Sequence, residues 1–359
     1  MKLLFISRSY PPVIGGLEKH NYSIHSALHK KIKINALVNK FGKKVLPLFL
    51  PLCLVRALLI SSKQESVLLG DGVLGIVGWF IKTIKPSVPV VCIIHGLDIT
   101  YKNAFYQYFW VGLFLPKLDK IIAVSHATAD AVISRGIPQS KLIVIPNGIY
   151  PLQNLDRNKN FLSTHLNIAI DNQIVLFTLG RLVKRKGINW FINHVFTHLE
   201  GPFIYIIAGD GPEKDAIEQS IIANQLTDKV FCLGSVTEKT KSQLFLNADL
   251  FIQPNIKVKG DMEGFGIAVL EANLHELPVL GSKLEGLKDS IVEGQNGWLI
   301  EPEEPSIFTE KILEVTQSKK RLKQAGQNAK TFCLQQFCWD KIADQYIEVF
   351  RELVKNNKK

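Results

Sequence analysis

The chain has little of what staples or metallates a small fold. Five cysteines, Cys53, Cys92, Cys232, Cys333 and Cys338, are scattered over 359 residues, and none forms a CxxC pair. An odd, dispersed set argues against a disulfide framework and against a zinc site, and for reduced thiols in the cytoplasm. No biased tract and no fixed-period repeat is present, which excludes long disorder and a solenoid. The opening MKLLFIS is too short for the apolar core of a signal peptide and runs into a turn at Tyr10-Pro11-Pro12, so it reads as a first strand. The most apolar later stretch, Val45 to Ile60, contains Pro47, Pro51 and Arg56. It falls short of the roughly 20 residues that a spanning helix needs, so no transmembrane segment is expected. Basic residues interleaved with exposed aromatics, or a nucleic-acid reader motif, are absent, and nucleic acid is not expected as a partner.

What is present is an apolar share of 47%, a charged share of 21% and a net charge of +11. The length suits two cores better than one, and the positive balance favours anionic partners such as nucleotide phosphates or acidic lipid headgroups. Apolar strand-like runs alternate with helix-length segments, the signature of α/β architecture with parallel sheets. In the first half the expected strands are Lys2–Ser7, Ile32–Val38, Val67–Gly70, Val90–His95, Lys120–Ser125 and Leu142–Pro146. After Asn147-Gly148 a polar stretch, Gln153–Lys159, reads as a linker. A second series follows with Ile174–Leu179, Phe203–Ala208, Val230–Leu233, Leu250–Gln253, Pro278–Gly281 and Trp298–Ile300. The segment Trp339–Val354 has helical apolar spacing. Domains are therefore expected at 1–152 and 153–335, with a terminal helical segment 336–359. Doubly wound sheets take ligands at the carboxyl ends of their strands, so the loops there are where chemistry is sought.

Four loops stand out. Ser9 to Gly16 follows the first strand and precedes a helix, and Gly15 and Gly16 would let backbone N–H groups approach a phosphate. A tight turn without a ligand explains it equally well. His95, in His95-Gly96-Leu97-Asp98, stands at a strand's carboxyl end, although a lone histidine there is more often simply hydrogen-bonded. Gly180 to Gly187, GRLVKRKG, places Arg181, Lys184, Arg185 and Lys186 at another strand end, a natural diphosphate clamp that needs no metal ion. Glu263 to Ala272, EGFGIAVLEA, opens a helix with Gly-rich backbone, so Phe265, Gly266 and Ile267 can present N–H groups to an anion. Glu271 falls on an apolar helix face and needs a partner. A ribose diol would serve, as would a Lys or Arg of the same chain. The turn at Gly209, AGDGP, reads as mainly structural.

In order, PPVIGG, HGLD, VSHAT, PNGI, GRLVKRKG, IAGDGP, LGSV, DLFIQPN, EGFGIAVLEA and GLKDSIVEGQNGWLIEP span nearly the whole chain. Together they resemble the GT-B glycosyltransferases of family 4, in which Glu263 and Glu271 match an E-x7-E motif. The resemblance implies two facing Rossmann-like domains with an interdomain cleft, and transfer of a hexosyl group from a nucleotide-diphosphate sugar with retention. Gly15 and Gly16 would approach the donor diphosphate, and Arg181 and Lys186 would hold it. Glu271 would bind the ribose and Glu263 the donor sugar. Gly264, Phe265 and Gly266 would complete the sugar and phosphate site, with Gly180, Gly209 and Ile267 among the donor contacts. His95 would sit near the reacting centre, and the loop Gly234-Ser235-Val236 beside the base. A UDP-, GDP- or ADP-sugar is the implied donor, with no cofactor or metal required. The acceptor would be a saccharide or a lipid-linked one, in cell-envelope polysaccharide or glycolipid synthesis.

Two stretches bear on a membrane surface. Phe41–Ser62 mixes Lys43, Lys44 and Arg56 with Leu and Phe, and Tyr101–Leu118 carries Tyr106, Tyr108, Phe109, Trp110 and Phe114. Basic amphipathic surface with interfacial aromatics suits peripheral contact at the inner face of a membrane; sheet-covering helices are the alternative. A sugar-nucleotide epimerase of the same fold, or a non-catalytic sugar-nucleotide-binding subunit, are the rival functions. The second should have lost clamp or glutamate residues, and Arg181, Lys186, Glu263 and Glu271 are all present.

Overall fold

The computed structural model describes residues 1–359 except Ile14, 153–155, Ala169, Asp171 and 358–359. Ile14 of the first glycine loop, residues 153–155 of the expected linker and the last two residues of the terminal segment thus lie outside the described residues. The rest divides into two units. Unit 1 comprises Met1–Gly148, Gly260–Phe265 and Phe337–Lys359, and unit 2 comprises Ile149–Lys259 and Gly266–Gln336.

Unit 1 runs β1 (Lys2–Ser7), α1 (Gly16–His29), β2 (Lys33–Val38), α2 (Leu46–Ser61), β3 (Ser66–Leu69), α3 (Gly75–Ile84), β4 (Val90–Ile94), α4 (the π-helical Gln107–Phe114), β5 (Lys120–Ala123), α5 (His126–Ile133) and β6 (Leu142–Val144). The strands form one parallel sheet in the order β2-β1-β3-β4-β5-β6. β3 and β4 are buried at every residue because helices cover both faces. Each fully buried Val, Leu or Ile contributes about 1.5–3 kcal/mol. Cys53 and Ala57 of α2, Val77 and Ile81 of α3, and Val111 of α4 share one core with Leu4, Val67 and Val90.

Unit 2 runs β7 (Ile174–Leu179), α6 (Ile188–His194), β8 (Phe203–Ala208), α7 (Lys214–Ala223), β9 (Val230–Cys232), α8 (Glu238–Asn247), β10 (Leu250–Gln253), α9 (Ile267–Leu274), β11 (Val279–Ser282), β12 (Gly297–Ile300), α10 (Pro305–Thr316) and α11 (Lys319–Phe337). Its parallel sheet has the order β12-β11-β10-β7-β8-β9. The last helix, α12 (Trp339–Asn356), belongs to unit 1, with Trp339, Ile342, Tyr346 and Phe350 buried.

Every strand expected from the sequence is found, within a residue or two at its ends. Lys43–Ser61 is helical over 19 residues, a tight turn at Lys43–Val45 followed by α2, and is long and apolar enough to cross a membrane by length and composition alone, which does not overturn the expectation that no segment spans one. Pro47 falls in the first turn of α2, where a missing N–H costs nothing, and Pro51 is accommodated inside the helix. Cys53, Ala57 and Ser61 are nonetheless buried, so one side of α2 covers the sheet.

In both sheets the strand order reverses next to the unit's first strand: between β1 and β3 in unit 1, and between β7 and β10 in unit 2. Ligands of open α/β sheets bind outside the carboxyl ends at such a switch point.

Candidate functional site

Unit 2 carries the basic loop at its switch point. After β7 the chain turns through Gly180, at φ +155°, into Arg181, whose side chain is exposed. Lys184–Lys186 form a single tight turn that ends at Gly187, in the left-handed region at φ 64°. A Cβ on Gly187 would collide with the Pro254 carbonyl, so only glycine fits there. The turn swings Lys186 inward until it is 7% exposed, and its Nζ donates to Gln253 Oε1 at 3.3 Å. Gln253 ends β10, is fully buried, and its Nε2 has no hydrogen-bond partner among the described residues. A buried ammonium beside an unsatisfied amide donor is a pair of donors suited to an anion.

The turn at Gly209 is welded to this loop. Gly180 N donates to the Ala208 carbonyl at 3.0 Å, Leu182 N to that of Asp210 at 2.9 Å, and Gly209 N to that of Gly234 at 2.8 Å. Side chains on Gly209 or Gly211 would run into the Gly180 and Leu182 carbonyls. Gly209 is thus required by close backbone approach, as its structural reading anticipated. Gly234 is at φ 66° with open space over it, and Val236 is half-buried against the core.

Glu271 lies in the second turn of α9, which starts after Gly266 at φ 88°. A Cβ on Gly266 would sit 2.7 Å from Leu287 Cδ2. The Glu271 carboxylate pairs with Lys241 of α8, Nζ to Oε1 at 3.3 Å, both side chains being 15% exposed. Lys241 also reaches Glu238 at 2.7 Å. Burial opposes the lysine's charge, but the two carboxylates outweigh it and its pKa is raised. The protein partner weighed in the sequence therefore exists for Glu271. His275 stands one turn on, its Nδ1 2.7 Å from the Glu271 carbonyl, and burial lowers its pKa. Ile267 opens α9 and is half-buried.

The other expected residues are in unit 1. His95 Nε2 is 3.0 Å from the Gly70 carbonyl at the end of β3, which assigns the proton to Nε2 and leaves Nδ1 an acceptor. Its loop is held by Asp98, which takes N–H bonds from His95 and Gly96 at 2.9 Å and from Gly72 at 3.0 Å. Glu263 and Gly264 cross this loop. A Cβ on Gly96 would be 3.3 Å from Gly264 Cα, and one on Gly264 would strike the His95 carbonyl. Glu263 is buried, and the Phe265 ring packs edge-on against Phe337 at 5.8 Å. The two glutamates of E-x7-E thus belong to different units. Gly15 and Gly16 are exposed at the start of α1, and the space over Gly16 is open.

Sequence reasoning gave no role to Asp98, Lys241, Gln253 or His20. The His20 ring is buried 4.7 Å from that of His95 and 5.4 Å from that of Trp339, and among the described residues neither of its nitrogens meets hydrogen-bond geometry. Burial, and then the neighbouring His95, hold its pKa well below the usual value, while the nearby Asn147 acts weakly the other way. A polar residue three after His95 is a recognisable N–H acceptor signal. The remaining three are joined to their partners only by the fold. Among the described residues, no group of three His, Cys, Asp or Glu is placed to hold a metal.

Two family models match the chain: glycosyltransferase family 4 over residues 67–151 and glycosyl transferases group 1 over residues 165–332. It is 27% identical to the uncharacterized glycosyltransferase MJ1607 of Methanocaldococcus jannaschii, with 98% of each chain covered. It is 22% identical to the capsular polysaccharide biosynthesis glycosyltransferase CapM of Staphylococcus aureus, over 98% of this chain and 97% of that one. Among solved structures it resembles Anabaena Alr3699/HepE in complex with UDP-glucose, with a TM-score of 0.76, 22% identity, and 98% and 100% of the two chains covered. With both models in chain order on two six-stranded parallel sheets, the chain belongs to the GT-B glycosyltransferases of family 4.

Proposed function

We propose that the protein transfers a hexosyl group, with retention, from a nucleoside diphosphate sugar to an acceptor hydroxyl. The observation that carries this reading is the buried Lys186 ammonium at the β7/β10 switch point, beside the unsatisfied Gln253 amide and in the same loop as Arg181. Fixed cations there would bind the donor diphosphate and stabilise it as it leaves. As the bond from the anomeric carbon to phosphate breaks, the acceptor oxygen bonds to the same face. Its proton passes to the departing phosphate oxygen, so no protein nucleophile is consumed.

Glu271 would accept the ribose hydroxyls, and the Gly234–Val236 loop would lie beside the base. His95 and Glu263 would contact the transferred sugar, with the amides of Gly264, Phe265 and Gly266 completing its site and Gly15 and Gly16 approaching the diphosphate. The UDP-glucose complex of HepE makes uridine the first base to try. The likeness to CapM supports an acceptor in cell-envelope polysaccharide synthesis, and a lipid-linked saccharide in the cytoplasm is our reading of it.

The test is turnover of UDP-, GDP- and ADP-hexoses by the purified chain with membrane extract as acceptor. Lys186→Ala should lower kcat about 10²–10³-fold with the fold intact. Equal turnover by Lys186→Ala and wild type would remove the clamp, and donor binding without any turnover would favour a binding subunit.

A further inference from the structure

Helix α2 is apolar on both sides. One side, with Cys53, Ala57 and Ser61, is buried. The other presents Leu48, Leu52, Val55 and Leu59 in one stripe at spacings of four, three and four residues, each 57–69% exposed. Phe41, 79% exposed, precedes it. A stripe of this kind on a solvated helix carries a cost that a covering partner would remove.

The charges around it identify the partner. Residues 30–118 contain twelve Lys or Arg and three acidic residues. Of those three, Asp71 is buried against Arg8 at 2.8 Å, Asp98 is spent on backbone N–H groups, and only Glu65 remains, beside the chain's amino terminus. Exposed Lys43 and Lys44 stand at the start of the stripe, Arg56 within it and Lys63 beyond its end. α3 packs against both α2 and α4, linked to the latter by the Trp79 and Phe114 rings at 5.6 Å. Exposed Ile84, Phe105 and Tyr108 extend the apolar surface along these helices. Long apolar side chains, interfacial aromatics and a rim with many more cations than carboxylates match the boundary between anionic headgroups and acyl chains.

We propose that the outer face of α2 seats this protein on an anionic lipid bilayer, lying in the interface about 5–10 Å deep rather than spanning it. Spanning is opposed by the same helix's buried side. Cys53 and Ala57 belong to the unit 1 core, Lys85 Nζ bonds the Leu58 carbonyl, and withdrawing α2 would uncover the sheet. The inference stands on unit 1 alone and does not depend on the donor chemistry proposed above.

The test is sedimentation of the full chain with vesicles of phosphatidylcholine alone or doped with phosphatidylglycerol. Wild type should bind the doped vesicles, release with added salt, and leave the neutral ones in solution. Leu48→Glu, Leu52→Glu and Leu59→Glu together change exposed positions only. They should weaken vesicle partition at least about tenfold while circular dichroism and melting stay as in wild type. Lys43→Ser with Lys44→Ser, in the turn ahead of α2, should weaken it by about fivefold per lysine at low salt while circular dichroism stays as in wild type. Absent binding, equal binding to neutral vesicles, or binding that survives both variants overturns the proposal. So does a dimer in light scattering that Leu52→Glu dissociates, since the face would then belong to a second copy.

Discussion

Replacing Glu271 with alanine separates two readings of the same carboxylate. If it binds ribose, two hydroxyls donate to a charged acceptor, each bond being worth about 1.5–3 kcal/mol. Lys241 already occupies Oε1 at 3.3 Å, so the lower part of that range applies. A combined loss of about 3–4 kcal/mol corresponds to about 150- to 700-fold in Kd. The ion pair, with both side chains only 15% exposed, makes its own contribution to stability, separate from any ribose contact. Calorimetric titration with UDP, GDP and ADP measures the first quantity and thermal melting the second. Lys241→Met is the companion variant: it breaks the pair without altering the carboxylate and should keep nucleotide affinity. Ribose binding is refuted if Glu271→Ala binds each nucleotide within about threefold of wild type while both variants melt alike.

If Arg181 and Lys186 supply the positive charge at the leaving group, as proposed, activity should persist in EDTA; full loss on chelation, restored by a divalent cation, would contradict this. Gly187→Ala places a side chain in the left-handed region against the Pro254 carbonyl, at a cost of about 2–4 kcal/mol, which calorimetry should register as a fall of roughly 4–16 °C in Tm. For His20 the folded pKa lies below the unfolded one, so the unfolded chain takes up more protons as pH falls below about 6.5. Its contribution is therefore fully present above that pH and is lost at about 1 kcal/mol per pH unit below it, until the folded pKa is reached. Urea midpoints at pH 7 and pH 5.5 should differ in wild type and converge in His20→Asn; an unchanged slope would place the titration elsewhere.

Strands such as Phe203–Ala208 were legible because a buried parallel strand is a continuous apolar run closed by glycine, and that pattern depends only on neighbours in sequence. The reach of α2 was not, because Pro47 and Pro51 read as breakers until their places in the helix are known. At the candidate site, the loop holding Lys186 was visible as a cationic strand end, but its burial depends on Gln253, 67 residues away. Lys241 was invisible for the same reason, lying on α8 with no local link to Glu271. The spacing of Glu263 and Glu271 suggests one functional pair. The turn at Gly266 and the crossing of Gly96 with Gly264 are what assign them to separate units.

The position of α12 has a consequence for synthesis. Trp339 fills the space that a side chain on Gly148 would need, and it stacks edge-on near His20, while Lys31 reaches Asp344 at 2.8 Å. The six strands of unit 1 leave the ribosome early, yet the helix that packs on α1 and buries Trp339 and Phe350 is made only after all of unit 2. At ordinary elongation rates that interval is on the order of 10–40 s. Throughout it the nascent first half presents an uncovered apolar face, a natural substrate for ribosome-bound chaperones. A stop codon at or before Trp339 would remove the helix and leave that face open permanently.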